Sequence, residues 1–257
     1  MMRIDGKKIA EQIISDLQKL PKPDKMLVAV LVGDHAQSKS FLRQKEKMAQ
    51  VLGISFHLYQ FDELISEKDL IVEIKKIGAD GQIGGIIVQL PLPPHYNRDA
   101  VLAAINPKKD IDAMTLEGRK FVDPLPIAVI KDILNANCYT LNAHTVAVVG
   151  RGFLVGKPVI EWLNGKCKKM EVFHSKSDLV GLKDADLVIT GVGKAGLIKP
   201  EMLKNGACVI DFGYSFATRI NADSNADSRG RIFGDLDAER LALCDSHLTF
   251  YTPTPGG

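Results

Sequence analysis

Four cysteines, Cys138, Cys167, Cys208 and Cys244, are scattered through this 257-residue chain without one Cys-x-x-Cys pair. That spacing argues against a structural zinc site or a disulfide frame and for reduced thiols, so no metal is expected. An excess of charge is missing too. Basic and acidic residues number 33 and 31, for a formal net charge of +2. Such a balance points to neither nucleic acid nor an anionic membrane surface as partner. No apolar run approaches the roughly 20 residues of a membrane span. The start, Met1-Met2-Arg3-Ile4-Asp5-Gly6-Lys7-Lys8, is charged and precedes no long apolar run, so it reads as no signal peptide. The expected location is the cytoplasm. What is present is the composition of a globular protein, 46% hydrophobic and 25% charged, in a chain long enough to bury a core without staples.

Apolar residues at Ile9, Ile13, Ile14 and Leu17 have helical spacing, closed by Pro21 and Pro23. Residues 26–32 are a continuous apolar run ending at Gly33, the mark of a buried strand. A helix is predicted over 38–52, a strand over 54–61, and a helix capped by Ser66 and running to about 77. A buried strand over 84–90 runs into Pro91-Leu92-Pro93-Pro94, which cannot continue a ladder, and 99–105 reads as a helix. This β-α-β-α-β order predicts a parallel sheet with helices on both faces. Residues 106–126 carry weak periodicity and several turn formers, so the domain boundary is placed there. A helix over 127–136 then leads into a second series, with strands expected at 145–150, 170–174, 186–191, 207–212 and 248–252, and a polar loop at 221–231. The expected fold is α/β, with one domain over 1–121 and a second, Rossmann-type doubly wound parallel sheet, over 122–257.

The clearest motif lies in the second series. A strand runs directly into Gly150-Arg151-Gly152-Phe153-Leu154-Val155-Gly156, and Pro158 opens a helix through Trp162. This is a variant of the dinucleotide fingerprint in its proper strand–turn–helix context. Gly150 allows the tight turn, Gly152 lets backbone approach pyrophosphate, and Gly156 lets helix and strand pack closely. The alternative is a turn that binds nothing. At the next strand tip, Phe173-His174-Ser175-Lys176-Ser177 holds no acid for ribose hydroxyls, and Arg151 lies in the glycine loop. A hydroxyl and cations there favour the 2′-phosphate of NADP over NAD.

Three features of the first half can carry chemistry. Lys45 lies on the helix after the first strand, with Lys47 pointing elsewhere around it. A lysine shielded by substrate and held by an acceptor can move protons. Gln89 sits at the carboxyl end of a buried strand, where open α/β sheets hold ligands. The run Lys109-Asp110-Ile111-Asp112 lies between the domains. Each alone reads more simply as a solvated lysine, an edge glutamine or a turn aspartate. The pattern by itself therefore stops at an NADP-binding oxidoreductase of unknown substrate.

Taken together, these segments resemble the bifunctional methylenetetrahydrofolate dehydrogenase/cyclohydrolase family over essentially the whole length. The resemblance is carried by Val32-Gly33-Asp34 with Ser38 and Lys45-Glu46-Lys47; Gly85-Ile86-Ile87-Val88-Gln89-Leu90-Pro91-Leu92-Pro93; Pro107-Lys108-Lys109-Asp110-Ile111-Asp112; the Gly150–Pro158 stretch; His174-Ser175-Lys176; Val209-Ile210-Asp211-Phe212-Gly213; Gly234-Asp235; and Thr252-Pro253-Thr254-Pro255-Gly256-Gly257. It implies two αβ domains with the active site in the cleft between them, and a homodimer paired through the nucleotide domains. It also implies oxidation of 5,10-methylenetetrahydrofolate with NADP and hydrolysis of the methenyl product to 10-formyltetrahydrofolate. On this resemblance Lys45 is the central catalytic lysine, Gln89 its hydrogen-bond partner, and Asp112 holds the pterin ring. Phe41, Pro253 and Gly256 join the substrate site. Gly150, Arg151, Gly152, Gly156, Ser175 and Tyr214 hold the cofactor.

The sequence departs from the family in places. A tyrosine is usual four residues before the lysine, where this chain has Phe41, which keeps the ring and loses the hydroxyl. Gly152 replaces a serine and Ala113 a glycine, and Asp123-Pro124-Leu125-Pro126 stands in for a Pro-Cys-Thr-Pro segment. The sequence stops at Gly257, where family members usually continue with a Val-Gly-Pro-Met-Thr stretch and a helix returning to the first domain. Two other readings follow from these departures: a dehydrogenase with weak or absent cyclohydrolase, motivated by Phe41, and a folate- or nucleotide-binding relative without catalysis. Intact Lys45, Gln89 and Asp112 speak against the latter.

Overall fold

The computed structural model describes residues 1–216, 232–241 and 247–254; the expected 221–231 loop, Cys244 and Gly256 fall outside the described residues. The chain forms two compact units, one of Gln12–Leu125 and one of Met1–Glu11 with Pro126–Gly257. It opens with a short strand β1 (Met2–Arg3) and helix α1 (Gly6–Leu17). Residues 1–11 were expected with the first domain. They group instead with the second half, because Met2 and Arg3 pair with Phe250 and Tyr251 near the other end of the chain. A two-residue strand has no periodicity to read, so only the pairing reveals it.

The Gln12–Leu125 unit is built on β2 (Met26–Val32), α2 (Ala36–Leu52), β3 (Phe56–Phe61), α3 (Glu67–Ala79), β4 (Ile83–Val88) and α4 (Arg98–Leu102). The strands form a parallel sheet in the order β3-β2-β4. Helix α2 begins two residues before the predicted start, because the His35 ring accepts the Ser38 amide hydrogen bond at 3.3 Å. It ends as expected at Gly53, whose φ of +69° only glycine adopts freely. Ser66 caps α3 by accepting from the Asp69 amide at 3.1 Å. Strand β4 stops at Val88, short of a cis Leu90–Pro91 bond.

The other unit contains α5 (Leu125–Ala136), β5 (Thr145–Val149), α6 (Gly156–Leu163), β6 (Lys169–Phe173), β7 (Leu187–Thr190), β8 (Cys208–Asp211), β9 (Ser215–Phe216), β10 (Ile232–Phe233), α7 (Ala238–Leu241) and β11 (Phe250–Tyr251). Its six-stranded sheet has the order β1-β11-β8-β7-β5-β6, every pair parallel, and β9 and β10 form a separate antiparallel ribbon. Both faces are covered, as a parallel sheet requires. Val146, Val148, Leu187, Ile189 and Ile210 pack under Ile130 and Ile133 of α5 and Val159 and Leu163 of α6. The alternate residues Ala147, Val149, Val188 and Val209 pack on the opposite side with Leu182, Ile198 and Leu241. Each such aliphatic side chain contributes on the order of 1.5–3 kcal/mol on burial. Helix α6 starts at Gly156 rather than Pro158, leaving the proline inside the first turn, where its missing N–H costs nothing. Among the described residues no helix is long and apolar enough to cross a membrane, and Cys138, Cys167 and Cys208 are free thiols.

Candidate active site

Open α/β sheets bind ligands beyond the carboxyl ends of their strands, at the point where strand order reverses. In the Gln12–Leu125 unit the chain steps from β2 to β3 on one side, then to β4 on the other, so that point lies between the ends of β2 and β4. Gln89 follows β4 directly. Lys45 projects from α2, and its Nζ donates to Asp112 Oδ2 at 3.2 Å; the two side chains are 36% and 20% exposed. Asp110, two residues earlier, is buried. The Asp110 carboxylate accepts from Met114 N at 3.1 Å, Thr115 N at 2.8 Å and Thr115 Oγ1 at 2.7 Å. Gly118 lies so close to that carboxylate that no side chain fits there. The Lys45–Gln89 hydrogen bond expected from the resemblance is not formed. Gln89 Nε2 donates to the carbonyl of Leu90 at 2.7 Å, and its Oε1 is buried without a partner. The reason is electrostatic: an ammonium gains more from a carboxylate than from a neutral amide oxygen. Phe41 stands one helical turn before Lys45 and is 39% exposed.

In the other unit, β6 lies on one side of β5 and β7 on the other, which puts the switch point between the ends of β5 and β7. Gly150 leaves β5 at φ +102°, and a Cβ at Gly156 would collide with the Gly150 carbonyl, as the fingerprint requires. A Cβ at Gly152 would meet only one ordinary contact, 3.9 Å from Gly191 O. Nothing in the protein demands glycine at 152, and its face is open. Arg151, Gly152, Ser175, Lys176 and Tyr214 are exposed, and the His174 amide donates to Ser177 Oγ at 3.0 Å to close the turn after β6. Pro253 is buried beside Thr252, whose hydroxyl accepts from Asp211 N at 2.7 Å.

Residues 4–112 match the tetrahydrofolate dehydrogenase/cyclohydrolase catalytic domain, and residues 124–257 the NAD(P)-binding domain of the same family. The chain belongs to this family. The bifunctional protein FolD of Staphylococcus aureus is 30% identical over 270 residues, covering 99% of this chain and 90% of that protein. The bifunctional FolD structure from Campylobacter jejuni superposes with a TM-score of 0.86 at 28% identity, covering 98% of this chain and 91% of that one. The Trypanosoma brucei FolD, solved with NADP cofactor and inhibitor, gives a TM-score of 0.85 at 26% identity, covering 100% and 91%. The chain is thus a tetrahydrofolate dehydrogenase and cyclohydrolase, with a nicotinamide dinucleotide as cofactor.

The residues of this tetrahydrofolate dehydrogenase/cyclohydrolase fit that cofactor. The positive φ of Gly150, the open face of Gly152 and the start of α6 behind them give a turn with room for a phosphate, and no acid stands at the tip of β6. Three carboxylates escaped the sequence reading as site residues. Asp110 stands in the sequence only as part of a run, with no local signal to set it apart from Asp112. Asp211 and Asp235 stood only in the motifs that carried the resemblance. Asp235 is fully buried and Asp211 is 9% exposed. Burial pushes the Asp211 carboxyl up to about 6, the backbone N–H groups of Leu236 and Gly213 oppose that rise, and the Asp235 carboxylate adds to it.

Proposed function

We propose that Lys45, Gln89 and Asp112 are the residues through which this enzyme works on tetrahydrofolate. The chain oxidises 5,10-methylenetetrahydrofolate to the 5,10-methenyl compound and hydrolyses that to 10-formyltetrahydrofolate. NADP, when bound, accepts the hydride. Gly150, Arg151, Gly152, Gly156, Ser175 and Tyr214 hold the cofactor, and Phe41, Pro253 and Gly256 complete the folate contacts. The folate domain is taken as 1–121 and the nucleotide domain as 122–257, with residues 1–11 of the former lending β1 to the nucleotide-domain sheet. A homodimer and a cytoplasmic location complete the proposal.

The observation that carries it is the Lys45–Asp112 contact, formed by residues far apart in sequence, with the orphaned Gln89 oxygen just beyond the end of β4 at the switch point. A buried acceptor without a donor costs about 1–3 kcal/mol, which a ligand or lysine N–H would relieve. Asp112 accepts from the pterin ring. Once substrate engages Asp112, Lys45 acts as the neutral amine after releasing its proton to solvent; its Nζ then takes a proton from the attacking water and returns it to the departing nitrogen. The hydride step asks less of these groups, since it depends mainly on positioning. One observation favours a second reading, in which hydrolysis is weak: the ring a turn before Lys45 is Phe41 and carries no hydroxyl.

The test is a time course with methylenetetrahydrofolate and NADP, following reduced cofactor and methenyl product separately, for the wild type and Lys45→Met. The wild type should form reduced cofactor and drain the methenyl product faster than its spontaneous hydrolysis. Lys45→Met should lose hydrolysis by about 100-fold or more, the usual worth of a general acid–base group. Hydrolysis at the wild-type rate in that variant sinks the assignment.

A further inference from the structure

Asp235 has no exposed surface, and its carboxylate is engaged by the last residue of β7 and the segment that follows it. Its Oδ2 accepts from Thr190 Oγ1 at 2.6 Å and from Val192 N at 2.7 Å, and its Oδ1 from Lys194 N at 2.7 Å. Placing a carboxylate in a dry interior is costly unless donors surround it, and here all three donors belong to one short stretch. That stretch leaves β7 at the switch point and faces the phosphate turn. A Cβ at Gly191 would stand 2.7 Å from Val155 Cγ1, and one at Gly150 would stand 3.1 Å from Val192 Cγ2. The two loops are therefore already in van der Waals contact. The Gly193 carbonyl also accepts from Ser215 Oγ at 2.6 Å, beside Tyr214. Val192, Gly193 and Lys194 themselves are exposed.

We propose that Asp235 is a positioning residue for the dinucleotide, fixing the 191–194 loop as one wall of the crevice whose other wall is the Gly150–Gly156 turn. The proposal rests on the reading that NADP lies over that turn. Asp235 does not touch the cofactor; it acts through the loop backbone. An asparagine in its place offers one acceptor oxygen and turns an NH2 group toward amide donors, so the loop loses at least one anchor. Displacements near 1 Å are enough to cost large factors in binding and rate.

The experiment titrates NADP into the full chain by fluorescence and measures KM for both substrates, well below the unfolding midpoint. Wild type is measured first; failure to bind NADP would overturn the underlying cofactor reading. With wild-type binding in hand, folded Asp235→Asn should raise the NADP dissociation constant about tenfold or more, equivalent to ~1.4 kcal/mol. The KM for folate should stay within about twofold of wild type. Unchanged NADP affinity in a folded variant overturns the proposal. A general structural defect would raise both KM values together, and that outcome also overturns it. If Asp235→Asn does not fold, Thr190→Val and Thr190→Ser decide. Loss of NADP affinity with valine and its recovery with serine supports the anchor; equal affinity in the two overturns it.

Discussion

At Ala113 the backbone sits at φ +50°, a conformation that an L-residue with a Cβ adopts at a cost of roughly 1–2 kcal/mol. The position follows Asp112 and is pinned on both sides: its amide donates to Asp110 O at 3.2 Å, and its carbonyl accepts from Arg119 Nε at 3.2 Å. The strain is thus imposed by the turn that presents Asp112, and glycine at this place in the family has a physical reason. Ala113→Gly removes the strain but adds about 0.5–1 kcal/mol of chain entropy in the unfolded state. The net stabilisation should be about 0.5–1 kcal/mol, read as a midpoint shift of about 2–4 °C per kcal/mol in thermal unfolding. A destabilised variant would show that the turn does not force this conformation.

At the scale of the element, α2 sets what its residues can do. Positions four apart share a helix face, so Phe41 and Lys45 lie on one side of α2, with the capping His35 at one end and Gly53 at the other fixing the helix. A hydroxyl added to the ring at 41 supplies a donor and acceptor one helical turn from Lys45. Phe41→Tyr should raise hydrolysis of the methenyl compound by about tenfold, within the range of a general acid–base contribution, and change hydride transfer by less than about twofold. Equal gains in both steps, or none in hydrolysis, would refute the division of labour. The parallel strands act as elements in a different way. Each delivers one loop to the same sheet edge, and β7 and β5 deliver the two that face each other at the switch point.

For the molecule as a whole, the buried acid at the end of β8 makes stability depend on pH. Between the ordinary aspartate value of 3.8 and the raised value of about 6, the folded chain still holds the Asp211 proton while the unfolded chain has released it. Stability therefore falls as pH climbs through that window, and the loss is complete above it. Asp211→Asn has no charge to bury. The stability of the wild type relative to this variant should rise as pH is lowered from about 6 toward 4, with a slope of up to ~1.4 kcal/mol per pH unit. Parallel melting curves at several pH values measure this, with the other titrating groups cancelling in the difference. A constant gap from pH 7 to pH 4.5 would contradict the raised value.

The sequence by itself determined the α/β class, the parallel order of the strands, the glycine turn, and the presence of Lys45, Gln89 and Asp112. Those features are local or periodic: apolar runs must be buried on both faces, a positive φ selects glycine at 150, and a proline run must end β4. Tertiary structure alone decided the pairing of β1 with β11, the choice of Asp112 over Gln89 as the partner of Lys45, and the roles of Asp110, Asp211 and Asp235. Each depends on residues separated in sequence being brought to one place. A carboxylate reads the same on paper whether it is solvated or enclosed, and only the fold supplies the donors and the burial that distinguish the two.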